Sequence, residues 1–157
     1  MKIYSSSSYN LKLIDGDNES LERLVRRTEI SESLVSKRTE KSFIGTILGN
    51  EFRIITSEIG IGALCVLSGN VNNQIGQINI ELNKAFKLLF SVILCLPIVA
   101  VISVFIQEPS KFPWFLIVVV IFQILIIRYL IIEVFFRFAS KRSLNRLIDV
   151  LDAELMD

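Results

Sequence analysis

Histidine is absent from this 157-residue chain, so the commonest general base and the commonest zinc ligand are missing together. Ser-His and Cys-His nucleophilic pairs and His-rich metal sites are thereby excluded. Of the two cysteines, Cys65 lies in a strand-like run and Cys95 in an apolar one. No partner pattern links them, and no disulfide is expected. The acids stand near bases, as Glu81 does to Lys84, and Asp149 and Asp152 sit on the C-terminal tail. None forms a catalytic pair, and a solvated charged face accounts for them. Gly45, Gly49, Gly60, Gly62 and Gly69 fall at turn intervals, without the spacing of a phosphate loop or a dinucleotide fingerprint. The Ser5 to Ser8 run reads as a low-complexity patch in or beside an edge strand. The expectation is a protein that is not an enzyme, with no cofactor and no metal.

The charge distribution narrows the class further. Residues 1–84 carry 10 Lys/Arg against 10 Asp/Glu, residues 85–138 are +2 and residues 139–157 are −1. No segment has the basic face that nucleic acid requires. Hydrophobicity, by contrast, is very uneven. The chain is polar and rich in Ser, Asn and Gly before Lys84, and dominated by Leu, Ile, Val and Phe from Leu88 onward.

Leu88 to Ile106 is 19 residues without a charge, which as a helix of ~1.5 Å rise per residue spans ~28 Å, the thickness of a hydrocarbon core. Phe112 to Ile127 adds 16 more, with Pro113 at its start and Gln123 inside, and the run continues past Arg128 to Ile132. Arg128 sits near enough to the end to snorkel to the headgroups. The spacing predicts a transmembrane hairpin within residues 85–138, with spans at about 88–106 and 112–132. The connection Gln107 to Lys111, with Pro109, Pro113 and Trp114 about it, suits an interfacial turn. Lys84 and Lys87 precede the first span, and Arg128, Arg137, Lys141, Arg142 and Arg146 follow the second, against Lys111 alone in the turn. By the positive-inside rule both termini are expected in the cytoplasm.

The two flanks read as follows. Met1 to Asn10 has no apolar stretch behind Lys2 and is not a secretory signal. Ile3, Tyr9, Leu11 and Leu13 share odd positions, the period of a half-buried strand. Asp15 to Asn18 reads as a turn before a helix over about Glu19 to Arg27, and Thr28 to Ser42 as a loop or ragged strand. Phe43–Leu48 and Phe52–Thr56 about Gly49-Asn50 suggest a hairpin, Ala63–Ser68 a further strand, and the alternation from Gln77 to Leu82 a last one. Residues 1–84 are thus expected to be a small, antiparallel, β-rich cytoplasmic domain with one helix. Over 139–157, Ser140 or Ser143 is placed to cap an amphipathic tail helix whose stripe is Leu144, Leu147, Ile148, Leu151 and Leu155. That stripe must pack on the β domain, on the membrane surface or on another copy.

Within the hairpin, the candidates for membrane and assembly roles are Pro97, Ser103, Trp114, Gln123, Arg128 and Glu133. Pro97 removes a backbone hydrogen bond in mid-span, and Arg128 and Glu133 carry charge where charge is costly. Neither span holds a GxxxG, so glycine-mediated dimerisation is not indicated.

The order Phe43-Ile44-Gly45-Thr46-Ile47, Phe52-Arg53-Ile54, Leu67-Ser68-Gly69-Asn70-Val71, then the Ile78/Ile80/Leu82 strand running into a hairpin and a tail, resembles small bacterial two-transmembrane proteins with a β-rich cytoplasmic domain. In architecture the chain is also similar to the two-transmembrane effectors of antiphage systems, of the retron-associated and β-barrel kinds. In the β-barrel kind the helices precede the barrel, whereas here the β-rich part comes first, and no ligand or residue role is carried over. The resemblance implies an inner-membrane protein that assembles into homo-oligomers and disrupts the bilayer under control of its β domain. The alternative is a membrane-anchored docking module that recruits a cytoplasmic protein. The expected partners are the lipid bilayer, copies of the chain itself and such a protein, and not nucleic acid.

Overall fold

A computed structural model describes residues 6–107, 109 and 112–156. Ile3, Ser5 and most of the Gln107 to Lys111 turn therefore lie outside the described residues. The chain is α+β. It divides into two compact units, one made of residues 1–83 with 136–157 and the other of residues 84–135.

The first unit is built on a seven-stranded sheet. Its strands are β1 (Ser6–Leu13), β2 (Thr28–Ile30), β3 (Phe43–Leu48), β4 (Glu51–Thr56), β5 (Cys65–Asn72), β6 (Ile75–Leu82) and β7 (Ala153–Leu155), with α1 (Asp17–Arg27) between β1 and β2. Their order across the sheet is β2-β3-β4-β5-β6-β1-β7. All neighbours are antiparallel except β2 and β3. The expected hairpins are present, and two extra strands, β2 and β7, lie at the two edges. The β5–β6 turn has two central residues, Asn73 (φ 53°) and Gln74 (φ 62°), as a mirror-image hairpin turn demands. Gln74 pays for that backbone with anchorage: its N–H donates to Asp17 Oδ1 at 2.7 Å, and its carbonyl accepts from the Leu13 N–H at 2.9 Å.

Cross-strand register fixes which side chains share a face. One face carries Leu11 and Leu13 of β1, Ile78, Ile80 and Leu82 of β6, Leu67 and Val71 of β5, Ile54 of β4 and Phe43 of β3, all at most 2% exposed. The helices of this unit carry buried apolar stripes, Leu21 and Leu24 of α1 and Phe136, Ala139, Leu144, Leu147 and Leu151 of α4 (Glu133–Leu151). These two helices are what is left to cover that face. Ser20 Oγ joins them, donating to the Leu151 carbonyl at 2.9 Å and satisfying an acceptor that the helix end leaves open. Gly69 belongs to this face: a Cβ there would lie 2.5 Å from the ring of Phe52, its cross-strand partner. Only glycine leaves the ring room.

Residues 136–157 belong to the sheet unit, with Leu144, Leu147 and Leu151 of the stripe buried there. Two details differ from the amphipathic-helix reading. The helix ends at Leu151, and Asp152 (φ 53°) turns the chain back into β7, so Leu155 lies on a strand, exposed, rather than on the stripe. Ser140 and Ser143 cap nothing, because the helix runs through them unbroken and both are buried.

The second unit holds α2 (Lys84–Gln107) and α3 (Phe115–Leu125), followed by a π-helical stretch, Ile126–Ile132, that leads directly into α4. Both α2 and the run Phe115–Leu151 are long and apolar enough to cross a membrane. Their side chains are mostly exposed, as Leu96, Val118 and Phe122 are. α2 lies against α3 and the π-helical stretch. Near the turn, Phe112 packs edge-on against Phe105 (5.3 Å) and Trp114 (5.4 Å).

Candidate functional site

The second face of the sheet changes character along the strands. One row, Ile44, Ile55 and Val66, is buried beneath Leu34 and Ala63. Asn83 holds that cover in place, its Nδ2 donating to the carbonyls of Leu34 (3.1 Å) and Ala63 (2.9 Å). The next row across five strands is Thr46, Arg53, Ser68, Asn79 and Ser8, and the one after it Leu48, Glu51, Asn70, Gln77 and Asn10. Those ten side chains line an open hollow of about 770 Å³.

Seven of the ten are polar and uncharged and two, Arg53 and Glu51, carry opposite charges, with Leu48 and the Thr46 methyl supplying the apolar part. The amides partly pair among themselves. Ser8 Oγ donates to Asn79 Oδ1 at a long 3.4 Å, Asn79 Nδ2 to Glu81 Oε1 at 3.1 Å, and Asn72 Nδ2 to Asn70 Oδ1 at 2.8 Å. Asn50 Nδ2 ties the rim, donating to the Val71 carbonyl and to Asn72 Oδ1, each at 2.9 Å. β4, β5 and β6, which form the middle of the hollow, are paired on both sides, so their main-chain groups are used in the sheet. On those three strands only side chains are offered to a ligand.

A second hollow, of about 590 Å³, is lined by Arg23, Arg26, Arg27, Glu40, Lys41, Asp149 and Val150. Two of its four bases are engaged: Arg23 pairs with Asp15 and, at 3.4 Å, with Asp152, and Lys41 donates to the Arg26 carbonyl. Titration is perturbed elsewhere. Glu29 is held below the usual carboxylate range by its hydrogen bonds to Lys37, with which it forms an ion pair, and to Thr39. Burial pushes the Cys65 thiol up to about 12, which makes it an inert core group. Among the described residues no three His, Cys, Asp or Glu side chains converge as a metal site.

The residues singled out in the apolar segments are placed apart from the hollow. Ser103 Oγ donates to the Val99 carbonyl one turn back (2.9 Å), and Pro97 is buried inside α2. Trp114 and Gln123 are exposed. Arg128 stands in the π-helical stretch with its guanidinium 5.8 Å from the Tyr129 ring centre, and its Nη1 is buried without a hydrogen-bond partner among the described residues. Glu133, half-buried, opens α4 one residue after that stretch. Of the tail residues, Leu144, Leu147 and Leu151 are buried in the sheet unit, Ile148 is half-buried and Leu155 exposed. Sequence reasoning missed the polar hollow. Its signal was the alternation of Ser68/Asn70/Asn72 against Gln77/Asn79, which read as turn punctuation because Asn and Gly are turn residues first.

Family models, curated proteins and solved structures give no match to this chain.

Proposed function

We propose that the chain is a two-span membrane protein of the bacterial inner membrane whose sheet domain is a docking module facing the cytoplasm. The observation that carries this reading is that the apolar unit, residues 84–135, is an insertion within the sheet unit, which resumes at Phe136 and ends in β7. A folded body cannot straddle the bilayer, so a segment that leaves it and re-enters it must cross an even number of times. Two helices of sufficient length meet that requirement. The excess of Lys and Arg at their sheet-side ends supports a cytoplasmic side for that body. The docking surface is the polar hollow, and the bilayer, with a cytoplasmic binding partner, is the company such a protein keeps. Single-cysteine probes, in a chain lacking Cys65 and Cys95, test the topology in intact spheroplasts. A probe at Trp114 is expected to react from outside and probes at Asn10 and Glu154 only after permeabilisation. The opposite pattern ends the reading.

A second reading, an oligomeric effector that disrupts the membrane, is favoured by Arg128 and Gln123. A guanidinium nitrogen without a partner and an exposed amide in an apolar helix are groups that assembly of several hairpins can satisfy. Under that reading, induced expression depolarises cells and Gln123→Leu weakens the effect at equal membrane content. Cells that keep their potential at high expression rule it out.

A further inference from the structure

We infer that the ligand of the polar hollow is a neutral oligosaccharide, bound across the strands along the two rows Thr46-Arg53-Ser68-Asn79-Ser8 and Leu48-Glu51-Asn70-Gln77-Asn10. The inference rests on the docking reading above and names its substrate class. Charge is the first ground. The two rows hold one base and one acid, two residues apart on β4, so the surface has no net charge with which to draw a phosphate, a nucleic acid or an acidic peptide.

Bonding capacity is the second ground. Asn and Gln side chains each donate and accept, as do Ser and Thr hydroxyls, and a sugar hydroxyl also does both. An array of such groups matches a polyol wherever it lies, whereas a peptide main chain seeks a free strand edge, which β4, β5 and β6 in the middle of the hollow do not offer. Shape is the third. Five strands ~4.8 Å apart make a trough roughly 19 Å long, and its volume of about 770 Å³ suits several sugar rings rather than one. Leu48, 78% exposed at one end of the second row, gives the C–H face of a ring an apolar surface to lie on. The long Ser8–Asn79 hydrogen bond is one that a sugar hydroxyl can replace at little cost.

The test uses the full chain purified without any sugar-headed detergent: micelles of a polyoxyethylene ether avoid a maltoside or glucoside occupying the site. Titration calorimetry with maltotetraose, cellotetraose and chitotetraose is expected to give saturable binding to at least one of them, weakened tenfold or more in Gln77→Ala and in Asn79→Ala. Both positions face solvent or the hollow, and unchanged thermal unfolding of each variant verifies that the fold is kept. Absence of binding by all three sugars up to millimolar concentration overturns the inference, as does binding that neither substitution weakens. A photo-crosslinker at Ser68 separates the two levels of the argument. Specific crosslinking to a protein, lost in the Gln77→Ala background, overturns the saccharide and leaves the docking module, while no crosslink and no sugar binding overturn both.

Discussion

The two units treat the same side-chain types in opposite ways. In the sheet unit Leu, Ile and Phe are hidden almost completely, with Leu11, Leu24, Ile54 and Leu147 fully buried, whereas in the apolar unit Leu96, Val118 and Phe122 stand open. Hydrophobic burial contributes roughly 25 cal/mol per Å² in water, so a folded protein does not leave two long helices uncovered unless something other than water surrounds them. The sheet unit supplies its own interior. The apolar unit borrows one.

The contrast is broken most severely at the tail. Leu147→Asp with Leu151→Asp places two carboxylates at positions with no exposed surface. The expected outcome is loss of the folded sheet unit, with proteolysis of residues 1–83 and 136–157 alike, because an unpaired buried charge costs more than most domains have in reserve. Retention of a cooperative melt would show that α4 does not cover the sheet. A paired comparison follows. Ile54→Ala should cost about 2 to 5 kcal/mol in chemical unfolding of the sheet unit, while Leu96→Ala, on α2, should leave that transition where it was. Equal effects would mean that the two units share one core.

Gly69→Val tests the first face more gently. The added Cβ meets Phe52 at 2.5 Å and the Gln77 carbonyl at 2.8 Å, and overpacking of this kind is worth about 1 to 3 kcal/mol. Combining it with Phe52→Ala should recover part of the loss that the two changes would otherwise add up to, read from urea midpoints.

The smallest effects concern titration and labelling. The Cys65 thiol has its folded value raised to about 12. Its contribution to stability is therefore complete below the unfolded thiol's value near 8.5 and is lost as pH climbs from there toward 12. Cys65→Ala should flatten the alkaline limb of the stability curve. A water-soluble maleimide at pH 7 should leave Cys65 unmodified in the folded chain. Cys95 is exposed on α2, and a membrane-permeant maleimide should reach it when the polar reagent does not. At the acid end, Glu29 with its lowered value favours the folded state above the ordinary carboxylate range and ceases to do so as pH falls through its own. Lys37→Met should remove this small dependence.

How far the fold could be read from residues follows the same division. Runs such as Phe43–Leu48 and Gln77–Leu82 announce themselves because local pattern and tertiary placement agree. β2 and β7 do not. Each has three residues, too few for a period, and each exists only because a distant partner, β3 or β1, completes it. Leu155 reads as part of the helical stripe for a related reason: its spacing from Leu151 fits a helix, and nothing local reveals that Asp152 takes a left-handed turn and ends it. The two apolar runs were legible at once, since their length alone carries the information. The polar hollow was not, because it is made of rows across five strands, and rows are written in register rather than in sequence.

The position of β7 has a consequence for how the protein is made. β1 is made before both long apolar helices, and β7, the strand that pairs with its outer edge, after them. The nascent domain must hold an open strand edge and an uncovered apolar face throughout their synthesis, so completing the fold is possible only after the hairpin has been translated. The three-residue β7 works as a latch, closing a sheet whose other strands have been waiting since before the hairpin emerged.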